Sequence, residues 1–200
     1  MQEEENSEQN SDIVFEEAPE APPRIVGIYG EIADESVSEF IGSLLGYYHD
    51  RQSPPDSEGN CVALPVEFII STGGGNVADM FSAYDVMRMV REECPIHTLG
   101  VGKVMSAGVL LLAAGTKGKR RIGKYCRIML HHVLGAEQGS VVDIGQSYEE
   151  AKVMEHNMFE AIAQESNLTL EELQEIVSKN TDVFFSAEEA VEMGIADIIV

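Results

Sequence analysis

Hydrophobic positions along this chain switch repeatedly between a period of about two and a period of about 3.6 residues, and the switches set the expected elements. From Arg24, "RIVGIY" reads as a strand; after Gly30 a helix is expected to begin near Asp34. There Val37, Phe40, Ile41, Leu44, Leu45 and Tyr48 fall on one helical face. "DRQSPPDSEGN" is polar and proline-containing, hence a loop. "VEFIIS" is the next strand, expected to break at "GGG", and Val77, Met80, Phe81, Tyr84 and Met87 mark a second amphipathic helix. "IHTLGV" is a third strand leading into an apolar helix, and "CRIML" a fourth strand. After Gly139 the pattern turns helical from Val141 to about Gln164, followed by two capping boxes, Thr169 with Glu172 and Ser186 with Glu189. The second of these helices is stopped by Gly194, and "IADIIV" closes the chain as a short strand. Strands and helices in alternation, on short connections, predict an α/β fold of βαβ units with a largely parallel sheet.

Charge alters this picture at one end only. The formal net charge is −22, and eight of the first twenty residues are Asp or Glu, running into the proline-rich "APEAPPR". Residues 1–23 therefore read as a disordered acidic tail, with too little apolar surface to offset its ordering entropy, and 24–200 as one domain. So acidic a surface excludes nucleic acid and anionic membrane as partners. The longest apolar run, Val104 to Gly115, is too short to cross a bilayer. With no signal peptide recognised, the expected compartment is the cytoplasm. Cys61, Cys94 and Cys126 then read as buried, reduced thiols.

Chemistry in parallel α/β sheets gathers where strands end and helices begin. Two junctions qualify, "IISTGGGNV" and "GVGKVMSAG". Neither completes G-x-G-x-x-G. "GKRRIGKY" nearly makes a phosphate loop, but Tyr125 stands where a Mg²⁺-binding hydroxyl is needed, so it reads as a basic β-turn. Ser106, the one hydroxyl inside "VGKVMSAGVLLLAAG", has two readings. It is a helix N-cap or small packing residue, or it is a nucleophile whose oxyanion is received by helix N–H groups. A base is available in His131 or His132, of which alternation along a strand sends at most one toward Ser106. Two adjacent histidines with no third ligand make a poor metal site. Asp182 precedes the last capped helix, but spacing does not single it out among 35 acidic residues.

Taken together, these segments resemble the proteolytic subunit of the Clp protease family, the caseinolytic serine peptidases, over roughly Arg24 to Val200. "GVGKVMSAGVLLLAAGTKGKRR" is similar to that family's nucleophile segment, "RIMLHHVLGAEQG" to its histidine segment, "TDVFFSAEEAVEMGIAD" to its aspartate segment and "FIISTGGGNV" to its glycine-rich strand end. The resemblance implies Ser106, His131 and Asp182 as a catalytic triad, and the N–H groups of Gly75 and Ala107 as an oxyanion hole. It implies a crotonase-like/Clp protease fold with a protruding handle, here the strand "GAEQGS" and the helix after it. It further implies a homo-oligomer of two stacked heptameric rings, unfolded polypeptide substrates, an AAA+ unfoldase partner, and no metal or organic cofactor. A viral capsid-processing relative, a crotonase-like acyl-CoA enzyme and a non-catalytic ring subunit are the alternatives. The chain departs from the family at Gly73, usually proline, at Ala107, usually methionine, and at His132-Val133, usually Gln-Pro. The loop from Arg51 to Ala63 is longer than usual, and the acidic N-terminus matches neither the family's propeptide nor its axial loop.

Overall fold

The computed structural model describes residues 23–178 and 181–200; the acidic segment expected as a tail lies outside them except for Pro23. Three strand–helix units come first. β1 (Ile25–Ile32) leads to α1 (Asp34–His49), β2 (Val66–Gly75) to α2 (Val77–Val90), and β3 (Ile96–Met105) to α3 (Ala107–Ala113). Two short strands, β4 (Arg121–Ile122) and β5 (Arg127–Leu130), precede the long α4 (Val141–Glu165). α5 (Leu170–Val177), β6 (Val183–Phe185), α6 (Ala187–Glu192) and β7 (Ile198–Ile199) complete the order.

One sheet runs β1-β2-β3-β4-β7, with β5 also on β3 and β6 on β5. Its ladders are parallel except that between β5 and β6. This is the α/β arrangement the alternating pattern predicts. β3 forks: Leu99 and Gly100 pair with β4, whereas Lys103, Val104 and Met105 pair with β5. That fork opens the sheet where β3 hands over to α3.

Burial explains the patterns. Val26, Ile28 and Ile32 of β1 and Val66, Phe68 and Ile70 of β2 alternate into the core against Val37, Phe40 and Leu44 of α1. α3 is buried at every one of its positions, which is why "AGVLLLA" carries no polar face. Apolar stems also leave room for a few paired charges. Arg120, 4 % exposed, makes a two-pronged contact with Asp197 and donates from Nη1 to the carbonyls of Ala113, Glu165 and Gly194. Glu165, buried on α4, accepts from the Tyr84 hydroxyl at 3.0 Å and Arg91 at 2.7 Å. Burial alone would raise the Glu165 carboxyl, but Arg91, Tyr84 and Lys117 together hold it below the ordinary range.

Three expectations need correction, and two short strands escape the pattern. "GGG" does not break β2: the strand runs to Gly75, still pairing with Glu31 and Ile32 after a register shift, because glycine tolerates φ of 99° at Gly74 and 156° at Gly75. "GAEQGS" forms no strand; among the described residues no strand pairs with it to share its N–H and C=O groups, and residues 131–138 are coil. β4 and β6 go unnoticed in the pattern because runs this short show no periodicity. Cys61 is exposed, in the long loop, while Cys94 and Cys126 are buried; all three are free.

Candidate active site

Ser106 links β3 to α3 at φ 53°, ψ −125°, the one non-glycine residue of positive φ among those described. An L side chain is uncomfortable there, and such conformations cost on the order of 1–3 kcal/mol. The neighbours impose it. Ser106 N–H donates to Met129 O at 2.8 Å, tying the turn to β5. The side chain makes no capping hydrogen bond to α3, so the N-cap role is not taken up. Instead Oγ lies 2.7 Å from His131 Nε2. With the proton on Nδ1 of a neutral ring, the serine hydroxyl donates to Nε2.

His131 and His132 diverge, as two successive residues of an extended chain do. His131 faces Ser106; His132 Nδ1 lies 3.0 Å from Glu155 Oε2 on α4. His131 Nδ1 is 3.9 Å from Asp182 Oδ1, close enough for attraction but longer than a hydrogen bond. The imidazole is 17 % exposed and the carboxylate 55 %, so water screens much of that attraction. The three residues that the family resemblance implies thus lie together, with the serine–histidine contact closed and the histidine–aspartate contact open.

The glycine-rich end of β2 passes directly beneath the serine. A Cβ placed on Gly74 would stand 2.7 Å from Ser106 Cβ and 3.2 Å from Oγ, so only glycine fits. On Gly75 a Cβ would run into the carbonyl of Ile32. Thr72, fully buried, shapes this end: its Oγ1 donates to Gly30 O at 2.5 Å and accepts Gly74 N–H at 2.9 Å. The sequence offers no signal for Thr72 or Gly74 beyond their place in the glycine run. Ala107, the other expected oxyanion donor, begins α3 directly after Ser106 and is buried. A groove of about 700 Å³ opens between α4 and the coil after His131, lined by residues including His132, Ile144, Tyr148 and Glu155 but by none of Ser106, His131 and Asp182.

No cluster of three metal-ligating side chains occurs among the described residues, and no described helix is long and apolar enough to cross a membrane. What the geometry can do is transfer a proton from a serine hydroxyl to an imidazole in a partly shielded cleft, with glycine backbone alongside.

Comparison with known proteins bears on the family of the chain. A family model described as Clp protease matches residues 21–200. A similar curated protein is the ATP-dependent Clp protease proteolytic subunit 1 of Gloeobacter violaceus, 32 % identical over 177 residues, which is 88 % of this chain and 83 % of that one. A protein of the same description from Prochlorococcus marinus is 30 % identical over 176 residues, 88 % of this chain and 83 % of its own.

Proposed function

The chain belongs to the Clp protease family, and on that premise we propose that it is a serine endopeptidase subunit acting on unfolded polypeptides. The observation that carries the proposal is the 2.7 Å contact between Ser106 Oγ and His131 Nε2 at a backbone turn no ordinary packing serine needs. Ser106 Oγ attacks the scissile carbonyl carbon as His131 removes its proton. The N–H groups of Gly75 and Ala107 receive the oxyanion. His131 then protonates the departing amine, leaving an acyl-enzyme, and a water deprotonated by the same imidazole releases the acyl group. Asp182 holds the His131 tautomer once it closes the remaining distance; its exposure in the lone subunit leaves it free to do so.

Assembly belongs to the same proposal. Val141, Val142, Ile144, Tyr148 and Val153 along the first part of α4 are exposed in the single chain. So many large apolar side chains on one element call for a covering surface. Pairing of two heptameric rings through α4 would supply it, enclosing the sites in a chamber fed by an AAA+ unfoldase in the cytoplasm.

The test is active-site labelling. The full-length protein is incubated with a fluorophosphonate and the adduct located by mass spectrometry, alongside hydrolysis of a short fluorogenic peptide. Phosphonylation of Ser106 with loss of peptidase activity is expected. No adduct at Ser106, or peptide cleavage that persists in Ser106→Ala, would refute the peptidase reading.

A further inference from the structure

The sheet holds the histidine segment only as far as Leu130, which pairs with Val183; His131 and His132 lie beyond it in coil. A base on unpaired chain must be held by other means, because segments with few backbone hydrogen bonds are the ones that open locally. α4 supplies the hold. Glu155 Oε2 accepts the Val133 N–H at 2.8 Å and lies 3.0 Å from His132 Nδ1. One carboxylate oxygen therefore grips both residues that directly follow the proposed base. Neither partner is loose in solvent: the His132 side chain is 39 % exposed and that of Glu155 26 %.

Val133 gives a main-chain N–H, which a proline there would lack, and His132 adds a ring N–H beside it. A substitution of one residue alone would leave half of this arrangement. Their joint presence opposite a carboxylate is what makes a two-donor clamp.

We propose that Glu155 is a positioning residue of this site: it fixes the chain after His131 to α4 and so keeps Nε2 in line with Ser106 Oγ. The proposal rests on His131 being the base. It makes the effect depend on the reach of one oxygen rather than on the charge of the pair, since a main-chain N–H and a ring N–H both bond to a neutral amide oxygen. Misplacing a catalytic group by about 1 Å from a site outside the chemistry is enough to cost on the order of 100-fold in rate.

Two conservative variants of the assembled full-length protein separate reach from charge. Glu155→Gln keeps an acceptor oxygen at the same distance and removes the charge; Glu155→Asp keeps the charge and draws the oxygen back by one methylene. Peptide hydrolysis gives kcat and KM, fluorophosphonate labelling gives the reactivity of Ser106, and sedimentation velocity gives particle size. The Gln variant should keep kcat within roughly threefold of wild type, and the Asp variant should lose about tenfold or more in kcat and labelling rate with KM little changed. An Asp variant at wild-type rate, a Gln variant that falls with it, or a loss confined to KM would overturn the proposal. Smaller particles from either variant would assign Glu155 to assembly and overturn it too. Wild-type protein that does not label at Ser106 would instead remove the peptidase reading on which the proposal rests.

Discussion

Replacing Ser106 by glycine or by alanine removes the same hydroxyl but not the same strain. At φ 53°, ψ −125° the penalty comes from Cβ, which alanine keeps and glycine lacks. Relief of that strain is worth about 1–3 kcal/mol. Against it, glycine loses about 0.5–1 kcal/mol more backbone entropy on folding than alanine. It also gives up the contact of a half-buried Cβ with Gly74, at most about 0.8 kcal/mol. The difference leaves Ser106→Gly more stable than Ser106→Ala by about 1 kcal/mol, which for a chain of this size is a Tm higher by roughly 2–4 °C. Both variants should be inactive, with losses on the order of 10⁴-fold in kcat. The assay is urea and thermal unfolding of the two at matched protein concentration, since any assembly would couple stability to concentration. An alanine variant as stable as the glycine variant, or more so, would mean that the positive φ stores no more strain than the roughly 1.3–1.8 kcal/mol glycine gives up, and would refute the difference of about 1 kcal/mol.

Four further outcomes are expected. His131→Ala should lose about 10⁴-fold in kcat, whereas His132→Ala, which leaves the Val133 N–H bonded to Glu155, should stay within about tenfold; equal losses measured on one peptide would mean the two rings are not divided as described. Asp197→Ala strands the Arg120 guanidinium in the core and should cost about 3–5 kcal/mol in urea unfolding. Burial would raise the Asp197 carboxyl, but Arg120's bonds hold it below the ordinary range, as Glu165 is held by its own partners. A carboxyl depressed by folding contributes stability that is complete above the unfolded range of about pH 4 and is lost as pH falls through the folded value. The wild-type urea midpoint should therefore be flat above about pH 5 and fall below pH 4, and a midpoint that rises on acidification would contradict the assignment. Tyr148→Asp puts a charge into the exposed apolar stretch of α4 and, on the proposed assembly through α4, should give smaller species in sedimentation velocity; an unchanged particle with an intact fold would mean α4 does not make the ring contact.

Features visible in the sequence are those whose cause lies within a few residues. The capping boxes at Thr169–Glu172 and Ser186–Glu189 span three residues each and form as read. Of the expected helical face, Val37, Phe40 and Leu44 are buried and Ile41 and Tyr48 half-buried, while Leu45 at its edge is exposed. Ser106, by contrast, had two readings from its surroundings, and only similarity to a family chose between them. Asp182 could not be picked from 35 acidic residues because nothing near it in sequence marks it. Tertiary structure decided whatever depends on partners distant along the chain. Ser106 is forced to positive φ by a bond to Met129 on β5 and by Gly74 of β2 beneath it. Glycines that locally read as a break continue a strand because β1 lies alongside to pair with them. "GAEQGS" remains coil for the converse reason, that a strand is a property of two segments and the described residues supply no second one beside it. His131 and His132 are equivalent in sequence; they differ because Ser106 lies on one side of the chain and Glu155 on the other.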